Sequence, residues 1–285
     1  MFKKIIWPSY GSKDSLEVLK YVKYFAKNYN SQIICVYVKP DKFYEGVEFL
    51  EEEEQRLYFD WAEEISKEME GKLHKISDDI NNEGLKSSVK ILEGTPHKEI
   101  LNLAKKEKAD LIAIGRGMDE ENDEYVAPTT LKLIRTSDIP VLTAKTVQEN
   151  INLKNILVPT TLYDLNSKDF HFALDLANSN NANIYHLYVI DTHNVSFPPE
   201  LLTNMRGNAY NSIAENDINY KNVMPKVVED DSLWKGIVNF SNTHDIDMII
   251  MLSYSGKNVK KYEFLGSNAG KVILNSMCPV ITIRP

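Results

Sequence analysis

Two stretches of the chain, FKKIIWPS at residues 2–9 and LKNILVPT at residues 153–160, decide the fold because they show one unit used twice. Each stretch is a lysine-led apolar strand that ends in Pro-Ser or Pro-Thr. Two further pairs follow in the same order: ADLIAIGRG (109–117) with IDMIIMLSYSG (246–256), and SDIPVLTAK (137–145) with SMCPVITIRP (276–285). Three matching landmarks in one order predict an internal duplication.

The boundary between the two copies falls in the polar stretch TVQENIN (146–152), so we predict one domain at 1–147 and a second at 152–285. The 285 residues carry a net charge of −8. Residues 1–150 hold 22 basic and 28 acidic side chains, a net charge of −6, and residues 151–285 hold 11 and 13, a net charge of −2. An acidic chain is a poor partner for nucleic acid, and no apolar run approaches the roughly 20 residues that cross a bilayer. We therefore expect no nucleic acid, no membrane and a cytoplasmic location.

Within each half, strand patterns alternate with helix patterns. In the first half we predict strands at 3–8, 32–38, 88–92, 110–115 and 139–144, and helices at 12–28, within 45–80, at 96–107 and at 129–136. In the second half we predict strands at 154–160, 183–189, 223–228, 247–252 and 278–284, and helices at 167–179, 198–217, 232–243 and 267–276. This alternation predicts right-handed βαβ units, and therefore an α/β fold of two tandem open parallel five-stranded sheets flanked by helices.

Two apolar patterns support this arrangement. The strand runs IICVYV (33–38) and LIAI (111–114) are continuously apolar, as expected of strands that are covered on both faces. The predicted helix 12–28 carries an apolar stripe that we expect to face the sheet: Leu16, Leu19, Val22, Phe25 and Ala26.

The strongest candidate site follows the fourth strand of the second half. It reads Ser253-Tyr254-Ser255-Gly256, then nine residues, then Gly266-Ser267 at the start of a helix. Small residues let a backbone wrap closely around a phosphate, and a helix start offers free N–H groups and the positive end of its dipole. Lysines at 257, 260 and 261 add positive charge. The alternative is that Gly256 and Gly266 only shape turns and that Ser267 is an ordinary helix cap.

Other polar groups predict little chemistry. Cys35 and Cys278 lie in apolar runs and provide neither a disulfide framework nor a zinc site. The histidines lack metal-binding spacing, and only His97, at a predicted helix start near the first-half cleft, remains a candidate ligand. The run EEEEQR (51–56) predicts a solvated helix face, with a site for a cation or a basic partner as the alternative.

Several of these features together resemble the universal stress protein family. They are a first strand ending in Pro-Ser or Pro-Thr, Gly94-Thr95-Pro96 before a helix, Ala-Asp-Leu-Ile at the fourth strand, and a terminal Cys-Pro-Val strand. The resemblance covers both halves, so the chain resembles a tandem universal stress protein with the adenine-nucleotide alpha-hydrolase-like, Rossmann-like fold. It also implies that the last strands of the two halves pair across a pseudo-twofold axis, which gives an intramolecular pseudo-dimer. Further association into a homodimer stays open.

The resemblance implies an ATP site in the second half. The family motif is Gly-x-x-Gly, nine residues, then Gly-Ser/Thr, and Gly256, Gly266 and Ser267 match it while Ser253 replaces the first glycine. The implied nucleotide-binding residues are Pro159, Thr160, Thr161, Val189, Ser253, Ser255, Gly256, Gly266, Ser267 and Asn268. Mg²⁺ is an expected companion of the phosphates.

The chain departs from the family pattern in two places. An Asp that contacts the adenosine portion in the family is replaced by Thr161 in the second half and by Tyr10 in the first. In the first half, Met118 takes the place of the second glycine, Pro128-Thr129 stands for Gly-Ser, and the loop MDEENDEYV (118–126) holds five carboxylates that would repel a phosphate. We therefore predict that the first-half site is lost.

Three functions follow, in order of preference. The first is a stress-response or regulatory protein that binds ATP in its second half, acts through conformation or an unidentified protein partner, and hydrolyses ATP slowly at most. The second is a scaffold or small-ligand sensor of the same fold that binds no nucleotide. The third is a nucleotidyl-transfer enzyme, for which the sequence shows no catalytic constellation.

Overall fold

The computed structural model describes residues 1–39, 49–117, 126–144, 151–193, 195–254 and 267–285. The strands are β1 (Lys4–Pro8), β2 (Gln32–Lys39), β3 (Lys86–Glu93), β4 (Leu111–Ala113), β5 (Val141–Thr143), β6 (Asn155–Pro159), β7 (Asn183–Asp191), β8 (Val223–Asp230), β9 (Met248–Leu252) and β10 (Val280–Ile283). The helices are α1 (Lys13–Tyr29), α2 (Glu52–Asn82), α3 (Pro96–Glu107), α4 (Pro128–Thr136), α5 (Lys168–Asn180), α6 (Pro199–Asp217), α7 (Leu233–Thr243) and α8 (Ser267–Asn275). Each predicted element is present. Their ends differ by at most two residues from the predicted ones, apart from the start of the long helix α2.

The two predicted sheets form one continuous ten-stranded sheet, in the order β3-β2-β1-β4-β5-β10-β9-β6-β7-β8. All neighbours are parallel except β5 and β10, which are antiparallel and pair Leu142 with Ile281 at the centre of the molecule. The predicted pairing of the two terminal strands is therefore confirmed. An unpaired apolar edge would attract another chain, and here each half covers the edge of the other.

An aspartate before the fourth strand of each half holds the first strand in place. The Asp110 carboxylate accepts the amides of Lys3 at 2.6 Å and Lys4 at 2.9 Å. The Asp247 carboxylate accepts the amides of Lys154 and Asn155, both at 2.8 Å. The repeated Asp-led landmark in the sequence therefore has a structural cause, since in each half it ties two strands that are more than 90 residues apart along the chain.

The core consists of two apolar layers, one on each face of the sheet, and each layer runs through both halves. Alternate β1 residues enter opposite layers, with Ile5 and Trp7 in one and Ile6 in the other. Where the halves meet, the Tyr24 hydroxyl donates to Asn180 at 2.9 Å, and the Asn180 amide donates to the Tyr29 hydroxyl at 2.8 Å. The duplication thus produces one shared core rather than two separate ones.

The predicted inward stripe of α1 is correct except at Leu16. Leu19, Val22, Phe25 and Ala26 are buried, but Leu16 is 41% exposed. The buried face of the helix is centred on Val18 and Val22, and Leu16 lies on the opposite side at 100° per residue. The stripe is continued at the first turn by polar residues, Asp14 and Ser15, which the apolar pattern did not reveal.

None of the helices in the described ranges is long and apolar enough to cross a membrane.

Candidate functional site

The candidate site lies where the neighbouring parallel strands β6 and β9 end. Leu157 pairs with Ile249, so both strands lead to the same edge of the sheet. Parallel sheets bind ligands beyond this carboxyl edge, where the strand order reverses direction.

Pro159 and Thr160 form the end of β6 and the start of the following loop. The Thr160 amide donates to the Leu187 carbonyl at 2.8 Å, which holds this loop against β7. Among the described residues, the Thr160 hydroxyl has one long contact, to the Thr161 carbonyl at 3.3 Å. Pro159, Thr160 and Thr161 are all half-buried. Three consecutive residues of the predicted site therefore lie partly open to solvent where β6 ends.

Val189 lies apart from this group of side chains. It is 4% exposed, and its Cγ1 lies 2.6 Å from the position that a Cβ on Gly236 would take. Its side chain thus packs in the core beside the start of α7, and only a glycine fits at position 236. The contact of Val189 with a base or ribose stays a prediction.

Ser253 follows β9 directly and has an unusual hydroxyl. Its amide donates to the Ile283 carbonyl at 2.8 Å, which ties the segment to β10. Its side chain is 1% exposed, and among the described residues its Oγ has no hydrogen-bond partner. A buried hydroxyl without a partner costs about 1–3 kcal/mol, so this group is suited to a contact from the loop or from a ligand.

The rest of the predicted phosphate loop lies mostly outside the described residues. This holds for Ser255, Gly256 and Gly266. The helix α8 begins at Ser267, directly after Gly266, and Asn268 lies half-buried in its first turn.

A buried carboxylate supports the loop, and the sequence reasoning missed it. Asp169, 1% exposed, accepts hydrogen bonds from the Ser167 hydroxyl, from the Phe170 amide at 3.0 Å and from the Leu252 amide at 3.1 Å. Burial raises the pKa of Asp169, and these hydrogen bonds oppose that rise. The carboxylate links the first turn of α5 to the end of β9, where the candidate loop begins.

The first half contains an equivalent buried carboxylate. Asp14, 4% exposed, accepts the Ser12 hydroxyl at 2.6 Å and the Ser15 amide at 2.9 Å, and it also accepts the amide of Gly117. The signal was present in the sequence as a repeated tripeptide, Ser-Lys-Asp, at 12–14 and 167–169. It is a fourth landmark of the duplication.

In the first half, the polar groups at the matching edge are engaged within the protein. The Ser9 hydroxyl lies 3.0 Å from the Ser15 hydroxyl and accepts the Gly11 amide at 3.1 Å. The Ala127 amide donates to the Arg116 carbonyl at 2.7 Å, and the Thr130 hydroxyl donates to the Gly115 carbonyl at 2.9 Å. Pro128, the first residue of α4, also removes one N–H donor from the start of that helix. Of the acidic loop 118–126, residues 118–125 lie outside the described ranges.

Tyr10, which replaces the family Asp in the first half, packs its ring edge-on against Tyr37 with 6.0 Å between the centroids. Burial raises the pKa of the Tyr10 hydroxyl, and the neighbouring Tyr37 adds to the rise. Although 40% of the Tyr10 surface is exposed, its hydroxyl is neutral at physiological pH, because an ordinary tyrosine pKa is already about 10 and here the pKa is higher. An aromatic ring therefore occupies a position where the second half has the smaller Thr161.

His97 lies in the first turn of α3, directly after Pro96. Its pKa is lowered by burial and by the nearby cations Lys132 and Lys98. A neutral imidazole beside two lysines offers no added positive charge to a phosphate.

Comparison with known proteins gives a consistent result for both halves. The model of the universal stress protein family matches residues 1–145 and again residues 152–284. Universal stress protein MJ0531 of Methanocaldococcus jannaschii is 30% identical over 146 residues, which are 51% of this chain and 83% of that protein. Universal stress protein MJ0577 of the same organism is 26% identical over 155 residues, 51% of this chain and 96% of that protein.

Several solved structures are similar over the full length. A universal stress protein from Archaeoglobus fulgidus superposes with a TM-score of 0.70 over 99% of this chain and 96% of that chain, at 19% identity. The two Methanocaldococcus proteins each match about half of this chain, whereas the Archaeoglobus protein shares the whole two-unit fold.

Proposed function

The chain belongs to the universal stress protein family and carries two copies of its unit, and from this premise we propose that it is a regulatory protein that binds ATP in its second half. Binding changes its conformation or a surface for a protein partner, and hydrolysis is slow at most. Mg²⁺ accompanies the phosphates in this proposal.

The observation that carries the proposal is a difference between matched hydroxyls in the two halves. Ser9 and Thr160 both follow the first strand of their half, and both donate their amides to the neighbouring strand. Within the described ranges, the Ser9 hydroxyl is buried and has two partners, whereas Thr160 is half-buried and its hydroxyl has one long contact. At the end of the neighbouring strand β9, the buried Ser253 hydroxyl has no partner in the described part of the chain. Unsatisfied polar groups at the carboxyl edge favour a polar ligand there.

The sequence beyond Ser253 supplies the chemistry that a triphosphate needs. Lysines at 257, 260 and 261 provide positive charge, and Gly256 and Gly266 allow close approach of the backbone. The helix α8 starts at Ser267, where its dipole and its first N–H groups favour an anion. Pro159, Thr160, Thr161 and Val189 are proposed to contact the base and ribose.

Calorimetric titration of ATP and of AMP into three proteins tests the site: the wild type, Gly266→Glu and Gly207→Glu. Gly207 lies on α6 in the same half and has open space around it, so it is a matched site for a glutamate. We expect the wild type and Gly207→Glu to bind ATP equally, and Gly266→Glu to lose binding because a carboxylate then repels the phosphates. Equal affinity in all three proteins would contradict the assigned site.

A second function, a scaffold or small-ligand sensor without a nucleotide, is favoured by one observation. The family Asp after the first strand is replaced in both halves, by Tyr10 and Thr161. Native mass spectrometry of protein purified without added ligand distinguishes the two functions. A retained mass equal to that of an adenine nucleotide supports the first, and no binding at millimolar ATP supports the second.

A further inference from the structure

The outer face of the first half of α2 carries apolar side chains that face solvent. Leu57, Trp61 and Ile65 follow one another at intervals of four residues, which places them on one side of the helix. They are 66%, 53% and 37% exposed. We call these three residues the outer stripe. A single exposed apolar side chain is ordinary, but three in a row including a tryptophan are typical of a contact surface.

The outer stripe lies on a part of α2 that extends beyond the sheet. Met69 lies 3.5 Å from where a Cβ on Gly11 would be, and Lys39 at the end of β2 is paired with Glu70 at 3.6 Å. Positions 69 and 70 are therefore level with the carboxyl ends of β1 and β2. The buried residues of the helix, Leu73, Ser77 and Ile80, all come after this point. Residues 52–68 continue outward for about 25 Å at 1.5 Å per residue.

The charge of this segment is extreme. Residues 51–70 hold nine carboxylates and two basic side chains, a net charge of −7 in a chain whose total is −8. Asp60, Glu64 and Glu68 form a row three residues ahead of the outer stripe, and therefore run along its side. Glu68 has a cationic partner on the same helix, Lys72 at 2.6 Å. The outer stripe is thus an apolar band with an acidic margin.

We propose that the outer stripe is a docking surface for a basic amphipathic helix of another protein. The apolar face of such a helix covers Leu57, Trp61 and Ile65, and its lysines or arginines lie against Asp60 and Glu64. Charge decides between the possible occupants. A second copy of this chain would bring a segment of charge −7 against its equal, and nucleic acids or anionic membranes would be repelled in the same way.

The test uses three synthetic 18-residue peptides with the full-length protein. The first contains leucine and lysine with leucine at i, i+3, i+4 and i+7 spacing, so that it forms an amphipathic helix. The second has the same composition with leucine spread evenly around the helix, and the third replaces lysine with glutamate. We expect the first peptide to bind at least tenfold more tightly than either control, and more weakly as NaCl is raised from 50 to 500 mM.

The double variant Leu57→Ser with Trp61→Ser should weaken binding of the first peptide at least tenfold. Its matched control is Leu201→Ser with Tyr210→Ser, which removes two apolar side chains that are each 47% exposed on α6. That control should bind as the wild type does, and unchanged circular dichroism shows that each variant is folded. Equal binding of the first two peptides, or no effect of the stripe variant, overturns the proposal. A concentration-dependent dimer that the stripe variant abolishes in analytical ultracentrifugation also overturns it, because the surface then serves a second copy.

Discussion

The segments that follow β4 and β9 occupy the same place in the two halves but are held differently. Counted from the anchoring aspartates Asp110 and Asp247, Gly115 and Leu252 stand at the same position, five residues on. After β4, the amide of Gly117 donates to Asp14 and the carbonyl of Gly115 accepts from Thr130. After β9, Asp169 holds the Leu252 amide, and the next residue keeps a hydroxyl that has no partner within the described ranges.

The contacts that the two halves share hold the strands in place, and the contacts that differ lie at the candidate ligand site. Both halves keep the aspartate that holds the first strand and the Ser-Lys-Asp carboxylate that holds the end of the fourth strand. Both therefore form the same five strands. The groups nearest to the candidate ligand position are the ones that differ, so a repeated unit can retain its architecture while the polar contacts at this edge differ between its two copies.

The largest expected effect concerns how the halves attach to each other. Arg116, 1% exposed, donates from Nη1 to the carbonyls of Ile273 at 3.0 Å and Leu274 at 2.6 Å, at the end of α8. Arg284 makes the reciprocal connection, to Asp138 at 2.9 Å and to the Thr136 carbonyl at the end of α4. We expect Arg116→Met to lower the free energy of unfolding by about 3 kcal/mol, because buried carbonyls lose a charged donor. Arg284→Met, whose ion pair faces solvent, should cost about 0.5 kcal/mol.

Urea denaturation of both arginine variants measures this difference. Equal losses would show that the two connections across the pseudo-twofold axis are energetically alike.

A methyl group at Gly115 tests how tightly the first-half loop is packed. A Cβ there would lie 2.5 Å from Asp14 Oδ2 and 2.9 Å from the Ser15 amide nitrogen. We expect Gly115→Ala to destabilise the protein by about 2 kcal/mol, since the carboxylate must move away from the loop. Gly207→Ala, in a helix with open space, should instead stabilise it by about 0.5 kcal/mol. Thermal unfolding distinguishes the two, and a neutral Gly115→Ala would show that the loop is looser than its contacts indicate.

The buried carboxylate of the second half should make the free energy of unfolding depend on pH. Because burial raises the pKa of Asp169 in the folded protein, its contribution to stability is complete below the ordinary Asp pKa of about 3.9 and is lost as pH rises through the raised value. Asp169→Asn cannot titrate. The stability advantage of the wild type over this variant should therefore be larger near pH 4 than at pH 7, as measured by urea denaturation across that range. An advantage that grows with pH would mean that hydrogen bonding outweighs burial.

The smallest expected effect concerns the missing family Asp, and it depends on the proposed function. Thr161→Asp and Tyr10→Asp place a carboxylate at matched positions, both of which reach solvent. We expect Thr161→Asp to strengthen ATP binding about fivefold, equivalent to about 1 kcal/mol, through a hydrogen bond to the adenosine portion. Tyr10→Asp should leave ATP affinity unchanged, because the first-half sequence lacks the second glycine and the Gly-Ser of the family motif. Calorimetric titration measures both, and a gain from Tyr10→Asp would contradict the loss of the first-half site.

Much of the fold could be predicted from local patterns. Apolar runs and helix periodicity placed every strand and helix, and three repeated landmarks identified the duplication. The predicted burial of Leu16 was wrong, because the apolar stripe was extended into the first turn of α1, where the buried positions are polar. The candidate site was predictable only in part. Pro159, Thr160 and Thr161 lie half-buried where β6 ends, and their contact with a ligand stays a prediction. The supporting Asp169 was missed, although the repeated Ser-Lys-Asp tripeptide would have revealed it.

By itself, the sequence determined the α/β class, the two-unit organisation and the family, because each depends on patterns that repeat within a few residues or between two copies. Only the tertiary structure decided which distant polar groups meet. The carboxylate of Asp217 and the ring of His186, 31 residues apart, form a buried pair at 3.0 Å, and Arg116 reaches helix carbonyls that lie 157 and 158 residues away. Such contacts have no local signature, since a buried polar group is stable only when the whole chain brings a partner to it. The same reason explains why the difference between Ser9 and Thr160, two small hydroxyl residues after matching prolines, became visible only once the two halves were folded.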